Sequence, residues 1–390
     1  MKLENIDVYV VGTEEPHLGG GPWFFIKLTT DDGVAGWGET ALLAALSRLD
    51  KSYEKLMPDI FEAYLKGRDA LDRESLVTTL YARLCWQHAD YFAGGLISAF
   101  DTALWDIAGK YYGAPVYQLL GGKFRDRIRA YSYICHPRKG YAGLGHEPQY
   151  VADMAAEMVE EEGFTAVKYD PVPQINGRGV PLPPWQPELG DLRKAETAVR
   201  LIREAVGDAA DILIGTHGQT TPSGALRLAK RLEPYDPLWF EEPVPPENAD
   251  EMAKVAAATS IPVATGERLV SVHDFLRLFK AGAAAIAQPD AGSSGGITQL
   301  KKIAALAEPF YVQMAPHVWG GPLITAAALQ IDAVIPNFLI QESIYTSRGF
   351  FDKLLVEPFR FEKGYLIPSE RPGIGAEPDE KQLLKYALNK

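Results

Sequence analysis

Cysteine is scarce: the 390 residues hold two, Cys85 and Cys135, and no CxxC pair. A disulfide framework and a thiolate zinc site are thereby excluded, and a reducing compartment is expected. Long hydrophobic runs are also missing. No stretch reaches the roughly 18 apolar residues of a membrane-spanning helix. Basic tracts are absent too, and 39 Lys and Arg against 51 Asp and Glu leave a net charge of −12. Nucleic acid and anionic membranes are therefore poor partners. An anionic small molecule is still admissible, because a bound cation or a local lysine reverses the potential inside a cleft. The opening MKLENIDVYVV lacks an apolar signal core and reads as a first strand, so a cytoplasmic protein is expected.

What is present is a chain long enough for about two domains, with 47% hydrophobic residues to fill them. In residues 1–127, strand-like runs (IDVYVV, WFFIKLTT, VAGWGE) come first, and helical periodicity over about 41–65 and 72–112 follows. Strands then helices suggest an α+β domain. Over 128–350, eight short apolar runs alternate with amphipathic segments, the pattern of a (β/α)8-type barrel. Residues 351–390 read as a tail that packs back on the first domain. GSSGG, Gly292 to Gly296, reads as the start of a helix rather than a phosphate cradle. The Gly-rich loop from Glu14 to Trp23 and the long loop from Pro171 to Gly190 are candidate walls of a site.

The ends of the barrel runs carry the chemistry. Gly215, Glu241, Glu267, Asp290, His317 and Glu342 follow one another at spacings of 23 to 27 residues, about one βα unit each. A lone acidic residue after a strand is usually a helix cap or a surface charge. A series in phase instead converges on the carboxyl face of the barrel, where barrel chemistry sits. Glu241 and Glu267 are adjacent carboxylates, and oxygen ligands of this kind suit Mg2+. Asp290 beside His317 forms a general-base dyad, the carboxylate orienting the imidazole and raising its basicity.

Six motifs resemble the enolase superfamily, and within it the mandelate racemase-like, galactonate dehydratase-like sugar-acid dehydratases. They are ALWDIAGKYYGAPVYQLLGG (103–122), WFEEP (239–243), IPVATGERL (261–269), QPDAGSSGGI (288–297), APH (315–317) and NFLIQE (337–342). The resemblance implies an α/β fold, a modified (β/α)8 barrel of (β/α)7β type with an α+β capping domain. It implies Mg2+ held by Glu241 and Glu267, the dyad His317 and Asp290, and Glu342 as hydrogen-bonding partner of the developing enediolate oxygen. Similar proteins often form symmetric oligomers, so the resemblance implies a homo-oligomer.

One departure stands out. The dehydratases resembled here end the third barrel strand in Asp-x-His, the Asp being a metal ligand; this chain has Gly215-Thr216-His217. On the second strand, where related racemases carry Lys-x-Lys, it has Lys168-Tyr169-Asp170. Residues 168 and 170 share a strand face, so Asp170 is expected to reach over Gly215 as the third metal ligand. Without a second lysine a two-base racemase is disfavoured. Lys168 is expected to contact the substrate carboxylate or oxygens near the metal, and His217 to protonate the departing 3-hydroxyl. The expected function is dehydration of a sugar acid to a 2-keto-3-deoxy acid. An epimerase or cycloisomerase, and a non-catalytic sugar-acid-binding protein, are the alternatives.

Overall fold

The computed structural model describes residues 1–14, 19–41, 49–136, 140–141, 146–172 and 184–389. Residues 15–18 of the Gly-rich loop and 173–183 of the long second loop lie outside them.

Strands β1 (Leu3–Val11), β2 (Trp23–Thr30) and β3 (Ala35–Thr40) form an antiparallel sheet in chain order. Helices α1 (Leu49–Tyr64), α2 (Arg73–Leu84) and α3 (Tyr91–Tyr112) pack with it. The helical pattern over 72–112 is therefore broken in two. Trp86 and Gln87 take left-handed backbone angles, φ 46° and 65°, and Asp90 starts α3 afresh by accepting from the Ala93 amide. Such a cap satisfies one of the orphan donors at a helix start. Helix α3 is buried along most of its length because it lies between this sheet and the second domain. Its approach to β3 needs glycine: a Cβ on Gly38 would stand 1.9 Å from the Ala99 carbonyl oxygen.

After the short α4 (Val116–Leu119) come β4 (Ile128–Tyr133) and a small hairpin, β5 (Cys135–His136) with β6 (Gly140–Tyr141). The other barrel strands are β7 (Ala166–Tyr169), β8 (Asp211–Gly215), β9 (Trp239–Glu241), β10 (Val263–Thr265), β11 (Ile286–Ala287), β12 (Gln313–Met314) and β13 (Gln341–Glu342). With β4 they run parallel, in the order β13, β4, β7, β8, β9, β10, β11, β12. A bridge from Met314 to Phe338 closes the ring. Among the described residues, seven helices lie between successive strands: α5 (Pro148–Glu162), α6 (Leu189–Val206), α7 (Pro222–Leu232), α8 (Ala249–Ala256), α9 (Val272–Lys280), α10 (Gly296–Ala307) and α11 (Pro322–Asp332). The architecture is thus the (β/α)7β barrel with an α+β cap. An apolar plug that includes Tyr131, Trp239 and Ile286 fills the barrel interior. No helix among the described residues is long and apolar enough to cross a membrane.

The cap is joined to the barrel by side chains, not only by apolar contact. Ser98 of α3 accepts from the Gly295 amide, and Asp101 accepts from the Thr298 amide and hydroxyl. Gly292–Gly296 thus leads into α10, and the Asp101 carboxylate takes the place at the helix start that an anion would favour. The tail divides its contacts. After α12 (Phe350–Leu354), the hairpin β14 (Arg360–Glu362) and β15 (Tyr365–Ile367) adds to β4 of the barrel. Helix α13 (Glu380–Tyr386) lies on the cap, with Glu380 held by Lys27 and Tyr9.

Candidate active site

Parallel strands deliver their last residues to one end of the barrel. Glu241 and Glu342 end β9 and β13; Asp170 follows β7, His217 follows β8, Glu267 follows β10, Asp290 follows β11 and His317 follows β12. Asp170, Glu241, Glu267, Asp290 and Glu342 are all buried. So many buried carboxylates are tolerated only when cations or donors face them.

His317 has the most defined surroundings. Its Nδ1 lies 2.6 Å from Asp290 Oδ2, and the other Asp290 oxygen accepts from the Gly292 amide at 2.6 Å. In the neutral ring this places the proton on Nδ1 and leaves Nε2 facing the neighbouring carboxylates. Nε2 stands 3.6 Å from Glu267 Oε2 and 3.7 Å from Glu342 Oε2. Burial alone would push the imidazolium pKa down. The charges of Glu342 and Glu267 and the bond to Asp290 outweigh it, and the value is raised to about 10. Glu267 shows the converse. Burial opposes its ionisation, but His317, His217, Arg268 and Lys168 together hold its carboxyl well below the usual range.

Lys168 is fully buried, with Nζ 2.5 Å from Glu241 Oε1 and 3.5 Å from Glu342 Oε1. Desolvation works against its charge, and Glu241 and Glu342 more than offset that, so it is held well above the usual lysine range. The sequence suggested that Lys168 contacts the substrate carboxylate or metal-bound oxygens; in the structure its ammonium lies against Glu241, a candidate metal ligand, and Glu342. Glu241 is further held through Oε2 by the Trp239 indole at 3.1 Å and the Gln288 amide at 2.8 Å. Glu342 Oε2 accepts from the Val318 amide at 3.0 Å, one residue after His317.

His217 sits across the barrel on a turn tied to β9. Thr216 donates through its hydroxyl to the Glu241 and Glu242 carbonyls, and Gly218 donates to Glu242. Its φ of 49° is left-handed, and Arg268 donates to its carbonyl at 2.7 Å. Its Nδ1 lies 3.7 Å from Asp170 Oδ2 and its Nε2 3.3 Å from the Tyr133 hydroxyl. The space over Gly215 is filled as expected from strand geometry. A Cβ there would stand 2.2 Å from Asp170 Oδ1 and 3.1 Å from Lys168 Cε.

Four neighbours escaped the sequence reading: Tyr133, Arg268, Trp239 and Gln288. A signal existed for two of them. Trp239 stands two residues before Glu241, and Gln288 two before Asp290, the offset that keeps side chains on one strand face. Arg268 bridges Glu242 at 2.8 Å and Glu267 at 3.4 Å, links visible only in three dimensions.

The sequence named Asp170, Glu241 and Glu267 as candidate donors for a divalent cation. Their chemistry suits Mg2+, a hard cation that takes carboxylate oxygens and keeps water in the remaining positions. The Asp170 carboxylate over a residue without a Cβ is the feature of this chain that fits a relocated ligand. The three do not form a closed cage. Among the described residues, no group of three His, Cys, Asp or Glu is gathered as a metal site, and Lys168 holds Glu241.

The Lys168 bridge has a measurable consequence. Lys168→Met leaves Glu241 and Glu342 without their cation in a buried setting. Urea unfolding without divalent cations should show a loss of about 3–5 kcal/mol. A loss below about 1 kcal/mol, the scale of an exposed pair, would contradict the bridge.

Comparison with known proteins agrees with this architecture. Residues 18–121 match the mandelate racemase / muconate lactonizing enzyme N-terminal domain, and residues 150–382 match the enolase C-terminal domain-like family. A solved structure from Labrenzia alexandrii, provisionally described as a mandelate racemase/muconate lactonizing enzyme, is 42% identical, with 100% of this chain and 98% of that one covered and a TM-score of 0.93. A mandelate racemase/muconate lactonizing enzyme-like protein from a Roseovarius species is 41% identical, covers 100% and 97%, and gives a TM-score of 0.92. A protein from Salmonella enterica serovar Typhimurium, provisionally described as a dehydratase, is 30% identical over 99% and 98%, with a TM-score of 0.89. Members of this superfamily are enzymes, and the mandelate racemase and muconate lactonizing members generally use Mg2+. The chain belongs to the enolase superfamily, among its mandelate racemase/muconate lactonizing enzyme-like proteins.

Proposed function

We propose that the protein is a Mg2+-dependent sugar-acid dehydratase, which removes the C2 proton of an aldonate or aldarate and eliminates the 3-hydroxyl. The observation that carries this reading is His317, fixed through Nδ1 by Asp290 with Nε2 turned towards Glu267 and Glu342. A carbon acid beside a carboxylate is weak, so the base must act together with stabilisation of the charge that develops. His317 Nε2 takes the C2 proton while Asp290 keeps the ring in place. Glu342, beside His317, is the group for the oxygen on which charge collects. Asp170, Glu241 and Glu267 would hold the cation. Bound there, Mg2+ supplies positive charge that makes the C2 proton more acidic and favours charge build-up on the carboxylate oxygens.

His217 completes the set. Strands β8 and β12 lie four positions apart in a ring of eight, so His217 and His317 approach from opposite walls. Elimination with anti geometry needs such a donor facing the base. His217 protonates the 3-hydroxyl as it departs, and the enol tautomerises to a 2-keto-3-deoxy acid. The reaction requires a carboxylate, an acidic C2–H and a 3-hydroxyl, which aldonic and aldaric acids carry.

A proton NMR screen of aldonic and aldaric acids with enzyme and Mg2+ in D2O follows both C2 deuterium exchange and product. The expected outcome is a 2-keto-3-deoxy acid from at least one member. A new epimer or cyclic isomer without net loss of water would favour an isomerase instead. Saturable binding without exchange would favour a binding protein. For the metal site, Asp170→Asn should weaken Mg2+ binding at least about tenfold by calorimetry, the scale seen when a metal's supporting groups are lost. Unchanged affinity would remove Asp170 from the ligand set.

A further inference from the structure

We propose that Glu39, in the cap, is a positioning residue for His317, acting through the backbone of the segment that follows the histidine. The inference rests on His317 being the base. Strand β12 holds only Gln313 and Met314, and the pairing ends at His317 itself, in a lone parallel bridge to Asp290 through the His317 amide and the Pro289 carbonyl at 3.2 Å. Residues 318–321 lie outside any strand, and what holds them sets the other side of the histidine's position.

The fixing comes from the cap. Glu39 near the end of β3 is buried, and its carboxylate accepts three backbone N–H groups. Oε1 takes the Gly321 amide at 2.5 Å, and Oε2 takes the Leu323 and Ile324 amides at 3.0 and 3.1 Å. These are orphan donors at the start of the 11-residue helix α11, where an acceptor is favoured; burial pushes the Glu39 carboxyl up to about 8, and the three amides work against that rise. The partners lie more than 280 residues apart in sequence.

Other groups grip the same stretch. A Cβ on Gly19 would meet the Gly320 carbonyl at 2.7 Å, and one on Gly20 would meet the Trp319 indole nitrogen at 3.0 Å. A Cβ on Gly321 would stand 2.7 Å from Glu39 Oε1 and 2.9 Å from the Trp23 ring. On the barrel side, the Val318 amide donates to Glu342. His317 and Glu342 are thus referenced to the cap through one short segment, with Glu39 as its polar anchor. A displacement of about 1 Å at a reacting group can lower a rate on the order of a hundredfold.

The test compares the full-length wild type with Glu39→Gln and Gly321→Ala, each with Mg2+. Glu39→Gln removes one acceptor oxygen and sets an NH2 donor against the same backbone amides. Gly321→Ala keeps the carboxylate but crowds the same contact at a residue whose φ of −92° tolerates alanine. Two readouts are taken: kcat against KM on the acid found by the screen, and the downfield Nδ1–H proton resonance of His317, held by Asp290. Both variants should lower kcat by about 10- to 100-fold with KM little changed, and should move that resonance. A merely structural role would lower the unfolding temperature and leave both readouts in place. A folded Glu39→Gln protein with wild-type kcat and resonance would overturn the proposal. Should Glu39→Gln not fold, Gly321→Ala decides by the same criteria. Should the wild type act on no acid, the proposed reaction fails, and the His317 resonance still decides whether Glu39 positions it.

Discussion

The Lys168 ammonium, buried between Glu241 and Glu342, is the interaction on which the site depends. The barrel gathers carboxylates at one end because each βα unit delivers its last strand residues there. Without compensation their mutual repulsion and desolvation would oppose folding. Lys168 answers for Glu241 and Glu342, Arg268 for Glu242 and Glu267, and the Gly292 amide with His317 for Asp290. These five carboxylates are thus each tied to a named partner, and burial holds the Glu242 carboxyl well above the usual range.

That charge balance also sets the chemistry. The same carboxylates that surround His317 keep its imidazolium protonated well past neutrality. A base must be neutral to accept a proton, so in the proposed reaction the field that organises the site restrains His317 until positive charge is added nearby. Fold and function meet again at the cap. Its sheet and α3 are built around close glycine contacts, and its polar side chains Ser98, Asp101 and Glu39 hold the starts of barrel helices α10 and α11. The cap therefore acts on the helices behind the loops that carry Asp290 and His317.

Much of this was legible in the sequence, for a physical reason. A parallel barrel repeats at the length of a βα unit, so residues at strand ends recur in phase, and Glu241, Glu267, Asp290, His317 and Glu342 could be aligned without coordinates. The two-residue period placed Asp170 and Lys168 on one face, and the structure puts an Asp170 oxygen where a Gly215 side chain would begin. The break between α2 and α3 was obscured because apolar spacing continues across it, while the left-handed turn at Trp86 and Gln87 has no glycine to announce it. Partnerships were not legible. Lys168 reads as a free cation on a strand face until Glu241, 73 residues on, is brought beside it. Glu39 reads as one more polar residue at a strand end, and its partners lie on the other domain.

The most direct test of the account is the titration of His317, followed by NMR of 15N-histidine-labelled protein with and without Mg2+. Without the cation the imidazolium should persist to about 10, above the ordinary 6.5. Because the folded value is the higher one, its contribution to stability is full below about 6.5 and is lost as pH rises through about 10. Saturating Mg2+ adds positive charge beside the same carboxylates and should shift the midpoint downward, towards the range where a neutral base works. A histidine that titrates near 6.5 without the cation, or a raised midpoint that Mg2+ does not move, would contradict the account.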